Sequence, residues 1–224
     1  MTLSTEIITP SLKGFIRDRI AELITKGIEK QNELREPTDQ ILAETFIERA
    51  IPWAGLSDKC RINVSYQKTE FDIAASSMAN QQAKLTYFID VIIEKAHEED
   101  EQGIIDHGDV KAALELAEMT HIVYMVLMAH ENRNLGFPVR IDNKPAALVS
   151  NQRFKEEQVF QPEYADGAQI NVIGARLVME VDTKLMPPVI DGSPLLEMLS
   201  EFCEVRFGKL GEVILLKKEK NNGD

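Results

Sequence analysis

Two pairs of residues have the spacing that could hold a metal ion: Glu94/His97 and Glu118/His121, each a carboxylate three positions before a histidine. On a helix, i and i+3 project to the same side, and di-iron carboxylate sites in helical bundles use such pairs. The same site needs two further carboxylates on helices that frame the motifs. Here Glu94 closes a strand-like run, and the segment between the motifs has no room for another bundle helix, so an exposed Glu94 and a core or interface His121 is the plainer expectation. A second acidic group, Glu98, Glu99, Asp100, Glu101 and Asp106, lies with His107 and Asp109 in one loop. Such oxygens suit a hard cation, but Gly103 and Gly108 are misplaced for an EF-hand, and a solvated acidic loop is expected. His130 follows His121 by nine residues; at about 100° per residue the two fall on opposite faces of a helix. No P-loop, GxGxxG, GxSxG or HExxH occurs, and no Ser/His/Asp or Cys/His set suggests a nucleophile. The sequence thus gives no catalytic, metal-binding or cofactor-binding residue to assign.

The elements that would position these side chains read as follows. Leu12, Phe15, Ile16, Ile20, Leu23, Ile24 and Ile28 form one stripe of a helix introduced by Pro10 and Ser11, with Ser11 as N-cap. Glu29 to Gln40 reads as its frayed end and a loop, followed by a short helix over about 39–50 carrying Ile41, Leu42, Phe46 and Ile47. Arg61 to Gln67 alternates like a strand, and Phe71 to Ala75 extends or pairs with it. After a polar turn from Ser76 to Gln82, Leu85 to Ile93 (LTYFIDVII) reads as a buried strand. Asp109 caps a long helix to about Ala129. Val110, Ala113, Leu114, Ala117, His121, Tyr124 and Met128 share one of its faces, and the all-round apolar stretch from Ile122 to Met128 predicts burial on several sides.

Residues 131–168 lose periodicity and read as a long irregular arm, with Phe137 to Ile141 and Ala147 to Val149 as minor strands. Gln169 to Lys184 reads as one long strand in which Ile170 and Val172 are out of phase with Ile173, Ala175, Leu177, Met179 and Val181. A β-bulge at Gly174 would repair the phase. Residues 187–224 read as an extension: a short helix from Ser193-Pro194 to about Phe202, a hairpin around Gly208 and Gly211, and a disordered tail. The division expected is one α+β domain over 1–186, with a mixed, mainly antiparallel sheet flanked by two long helices, and a C-terminal helix-hairpin extension.

Composition narrows the functional classes. The 224 residues carry a formal net charge of −12 and a pI near 4.9. A broad grip on nucleic acid or on an anionic membrane needs basic surface, whereas a channel that DNA must traverse without sticking is served by an acidic one. Cys60 and Cys203 follow no metal spacing and read as buried free thiols, with a disulfide as the alternative. Trp53 reads as a core anchor. No run approaches the length of a membrane span, and the N-terminus has no signal-like pattern, which fits a reducing cytoplasm.

Taken in order, LKGFIRDRIAELI, the strand LTYFIDVII, the helix after DHGDV and the strand INVIGARLVMEVDT resemble the tail terminator proteins of tailed bacteriophages. The resemblance spans most of residues 11–184. It implies a mixed α/β subunit that closes into a hexameric ring on the completed tail tube, stops polymerisation, and presents a surface to the head–tail connector. It further implies a virion protein made in the host cytoplasm, with DNA passing through the ring without specific binding. The acidic loop Glu98, Glu99, Asp100, Glu101 and Asp106 then becomes a lumen or partner loop. The alternatives left open are a metal-dependent enzyme built on Glu94, His97, Glu118 and His121, and a cytoplasmic adaptor protein.

Overall fold

The computed structural model describes residues 11–49, 59–77, 80–96, 98–99, 105–106, 109–137, 140–141, 144–145, 148–161 and 170–185. These belong to one compact unit, which runs to Pro187; the C-terminal extension, Trp53 and Cys203 lie outside the described residues.

Helix α1 (Leu12–Asn32) opens the chain, a 3-10 turn (Pro37–Asp39) follows, and strand β1 (Ala43–Ile47) comes next. Two long strands, β2 (Cys60–Ser77) and β3 (Asn80–Ala96), lead to a two-residue ladder of β4 (Glu98–Glu99) and β5 (Ile105–Asp106). Helix α2 (Asp109–Met128) and a 3-10 segment (His130–Gly136) precede the short pair β6 (Arg140–Ile141) and β7 (Lys144–Pro145). Strands β8 (Val149–Phe160) and β9 (Ile170–Leu185) complete it. The main sheet has five strands in the order β1-β2-β3-β9-β8, with β1 parallel to β2 and every other pair antiparallel. The α+β class with a mixed, mainly antiparallel sheet is therefore what the chain adopts.

Both helices cover the same face of that sheet. Ile62, Val64, Leu85, Tyr87, Ile89, Val91, Ala175, Leu177, Met179 and Val181 point to it and are fully or nearly fully buried. From α1 come Ile16, Ile20, Leu23, Ile24 and Ile28, and from α2 come Ala112, Leu116, Met119, Val123 and Leu127. The Tyr87 hydroxyl reaches through this layer to donate to the Lys13 carbonyl at 2.9 Å. Gly27 sits where the helices meet: a Cβ there would overlap the Val126 side chain, so the missing methylene lets α1 and α2 approach. Ser11 has extended backbone geometry at the start of α1, but its side chain makes no capping hydrogen bond.

Four expectations from sequence are corrected. Residues 39–50 do not form a helix: Ala43–Ile47 is strand β1, in parallel register with Cys60–Val64. Its AETFI sequence has a β-branched and aromatic centre, and pairing with β2 outweighs a weak helical pattern. No bulge occurs at Gly174, since β9 keeps unbroken register with β3 from Ile170↔Ala96 to Leu185↔Gln81. The glycine answers a packing need instead. A Cβ there would come within 2.7 Å of the Phe160 ring, and Val172 simply occupies the face opposite the helices, where it is half-buried. The turn expected over Ser76 to Gln82 is far tighter, with Ser77 paired to Asn80. Finally, 131–168 is not irregular throughout, because Val149–Phe160 is a twelve-residue edge strand. Register shifts between Val149 and Asn151 and between Phe154 and Glu156 break its two-residue period, which hides the strand from a periodicity reading.

Placement of β8 depends on Gln152. Its side-chain amide donates to the carbonyls of Leu127 (2.6 Å) and Asn132 (3.2 Å) and accepts from the Leu135 N–H (2.7 Å). Leu135 is fully buried at a positive φ of 56°, between Asn134 and Gly136, which share the left-handed region. Its carbonyl receives Arg19 Nε at 2.9 Å. A costly backbone conformation is thus held by satisfied hydrogen bonds on both sides.

Candidate functional site

The sheet face opposite α1 and α2, helix-free among the described residues, carries charged side chains that pair with one another. Arg61 on β2 meets Glu94 on β3 at 2.9 Å, with side-chain exposures of 10% and 4%. Arg176 on β9 forms a two-pronged contact with Asp90 (2.7 and 2.9 Å) and lies 4.3 Å from the centroid of the Phe88 ring. The hydrogen bonds that it donates to the Asp90 carboxylate hold the Arg176 guanidinium above its ordinary pKa. Glu180, almost buried, gathers Arg153 at 2.9 Å with Lys84 and Lys155 at 3.7 and 3.8 Å, and Arg153 also reaches Asp182 at 3.0 Å. A depression of about 520 Å³ borders this cluster, lined by Glu70, Asp72, Lys84, Arg153 and Asp182 among others. Carboxylates (Glu70, Asp72, Asp182) and cations (Lys84, Arg153) both line it, so their charges largely cancel.

Glu94 and the α2 residues are not brought together. Glu94 projects from the helix-free face into Arg61, while Glu118 sits on α2, behind the opposite face, and pairs with Arg35 at 3.2 Å. His121 is exposed on α2, and His97 lies outside the described residues. Among the described residues, no group of three or more His, Cys, Asp or Glu side chains could hold a metal ion. His130 belongs to the 3-10 segment after α2, not to the helix. Of the acidic loop, Glu98 and Glu99 form β4 and pair with Asp106 and Ile105 of β5, whereas Asp100 and Glu101 lie outside the described residues. Cys60 is a buried free thiol, and burial pushes its pKa far up, away from nucleophilic use.

What the arrangement does offer is sheet edges and exposed apolar side chains among the described residues. The two edge strands stand at opposite ends of the sheet, β1 pairing only with β2 and β8 only with β9 among the described residues. Beside β1, Leu42 and Ile47 are exposed; on β8, Val159 is 59% exposed. A further feature is the outer side of α2. Val110, Leu114, Tyr124 and Met128 are 65%, 68%, 42% and 41% exposed, and Ala113, Ala117 and His121 are exposed with them. The face singled out by sequence periodicity is therefore real, but it is the outward one; the inward stripe is Ala112, Leu116, Met119, Val123 and Leu127. Tyr124 leans over Phe154 of β8 with ring centroids 5.2 Å apart, so the stripe continues toward that edge. Burial of Ile122–Met128 on several sides is corrected accordingly: Tyr124, Met125 and Met128 face outward.

No family model matches this chain, and no curated protein matches it. No single helix among the described residues is long and apolar enough to cross a membrane.

Proposed function

We propose that this chain is a non-enzymatic, ring-forming virion protein of the tail-terminator kind. In this reading it caps the head-proximal end of a phage tail tube, ends tube polymerisation and meets the head–tail connector. The observation that supports it is the pair of opposed sheet edges, β1 and β8, each accompanied by outward apolar side chains. Unlike edges at opposite flanks suit a head-to-tail contact, and such contacts close into a ring when the rotation per subunit divides the circle. Exposed Lys155, Glu156 and Glu157 along β8 guard that edge against indiscriminate pairing and leave it to a partner of matching charge.

The hexameric count, the virion location and assembly in the host cytoplasm come from the family resemblance. The net charge of −12 suits a lumen that lets DNA pass without binding. Glu98, Glu99, Asp100, Glu101 and Asp106 are the residues we assign to that lumen or to a partner contact. The segments of 131–168 on either side of β8, and residues 187–224, are the parts we assign to contacts with tube and connector.

The test is to incubate purified chain with tail tubes and image them by negative-stain electron microscopy. The expected result is a ring at one end of each tube, lost with Ile47→Lys or Val159→Lys. Protein that remains monomeric on sizing in the presence of tubes, and leaves tube ends bare, overturns the reading.

A further inference from the structure

The outward stripe of α2 has a spacing that says what kind of surface covers it. Val110, Leu114, Ala117, His121, Tyr124 and Met128 are separated by four, three, four, three and four residues. Those six follow a 3.5-residue period, the spacing at which two helices pack at a shallow angle along a seam, and exposed Ala113 and Met125 flank them. The inward face of α2 is already occupied by the sheet, so the seam is a second contact surface on the same helix.

The order of residue sizes along the seam then picks the partner. An antiparallel pairing of two seams sets each a position against a d position of the other helix. About a two-fold axis at Met119, Val110 meets Met128, Leu114 meets Tyr124, and Ala117 meets His121. Each contact joins a smaller side chain to a larger one, which is how facing layers interdigitate without a void. A parallel pairing would instead put Ala117 against Ala117, leaving a gap, and Tyr124 against Tyr124 and His121 against His121, crowding the next layers. Glu118 would face its own symmetry mate across the axis, and its pairing with Arg35 at 3.2 Å reduces that repulsion. From this self-complementarity we infer that the outer face of α2 docks on α2 of a second copy, antiparallel, in a two-fold symmetric dimer.

This contact is centred on α2 rather than on the edge strands of the proposed ring, and only its Tyr124 end comes near β8, at Phe154. It is smaller as well: the seam runs roughly 27 Å at about 1.5 Å per residue and is one helix wide, short of a standard permanent interface. The dimer is therefore reversible, and it keeps the apolar seam out of water in free protein.

Disulfide trapping tests both the surface and its symmetry. In a Cys203→Ser background, the double variant Val110→Cys/Met128→Cys places each new thiol beside the other kind in the partner. The expected product under mild oxidation is a closed, doubly linked dimer. Either single variant alone gives no link, because equivalent positions lie roughly 27 Å apart along antiparallel helices. A ladder of larger linked oligomers means a head-to-tail contact and overturns the dimer, as do Val110–Val110 or Met128–Met128 links, which require parallel helices. Sedimentation of the native chain over a wide concentration range is the second measurement. It is expected to show a monomer–dimer equilibrium whose dissociation constant rises at least tenfold in Leu114→Glu, a substitution at a mostly exposed site that leaves circular dichroism unchanged. Strictly monomeric native protein at all concentrations overturns the inference. Ile47→Lys is expected to leave the dimer intact, so failure of ring formation and failure of this dimer are read independently.

Discussion

At the scale of single residues, the helix-free face shows how a charged strand surface can be nearly closed to solvent. Arg61 and Glu94 lie on neighbouring strands with side chains 10% and 4% exposed. Desolvating both ions offsets much of their attraction, so the pair adds little net stability, yet removing one partner takes a charge-assisted hydrogen bond from a buried ion. Arg61→Met is expected to cost about 3 kcal/mol, while Arg61→Met with Glu94→Leu costs clearly less; urea denaturation of both variants measures the difference. Equal losses in the single and the double variant would refute the coupling. The same pair holds Glu94 away from Glu118, since Glu94 is turned to the sheet face that α2 does not touch.

At the scale of elements, glycines mark two close approaches that periodicity cannot reveal. Gly27 admits Val126 between the helices, and Gly174 lies beneath the ring of Phe160. Gly174→Ala pushes a methyl group into that ring, for an expected loss of about 1–2 kcal/mol. Combining it with Phe160→Leu recovers part of the loss, and a double-mutant cycle from thermal melts reads the coupling. If the bulge expected from sequence governed this glycine, Phe160→Leu would give no recovery. Strand β8 makes a related point. Its two register shifts scramble the alternation of VSNQRFKEEQVF, and a single side chain, Gln152, anchors it to the end of α2. A lone polar residue in a polar segment carries no sequence signal for such a role.

For the whole molecule, global stability should respond to alkaline pH. Burial raises the pKa of Cys60, and burial likewise raises that of Tyr87, whose hydroxyl donates to the Lys13 carbonyl. Both groups stay protonated in the fold, while the unfolded chain releases the thiol proton above about pH 8.5 and the phenol proton above about pH 10. The unfolded state then binds fewer protons than the folded one, so stability falls as pH rises through that window. Cys60→Ala is expected to flatten the first part of the fall, between about pH 8.5 and 10, as followed by denaturation midpoints. A profile identical to that of the native chain would contradict the burial argument.

The sequence by itself determined the two amphipathic helices, the buried strands LTYFIDVII and INVIGARLVMEVDT, and the acidic charge. These follow from composition and from periods of 3.6 and 2, which are local properties. It also exposed the seam along α2 as a stripe, because a repeated spacing needs no knowledge of neighbours. Only the tertiary structure decided that this stripe faces outward, that Ala43–Ile47 is a strand alongside β2, and that Val149–Phe160 closes the sheet. The physical reason is that α2 has two apolar stripes and one sheet to cover. Which stripe is buried depends on where α1 and β9 lie, and those contacts join residues far apart in the sequence, as Gly27 of α1 and Val126 of α2 are. Short strands such as β1 owe their form to a partner rather than to their own residues.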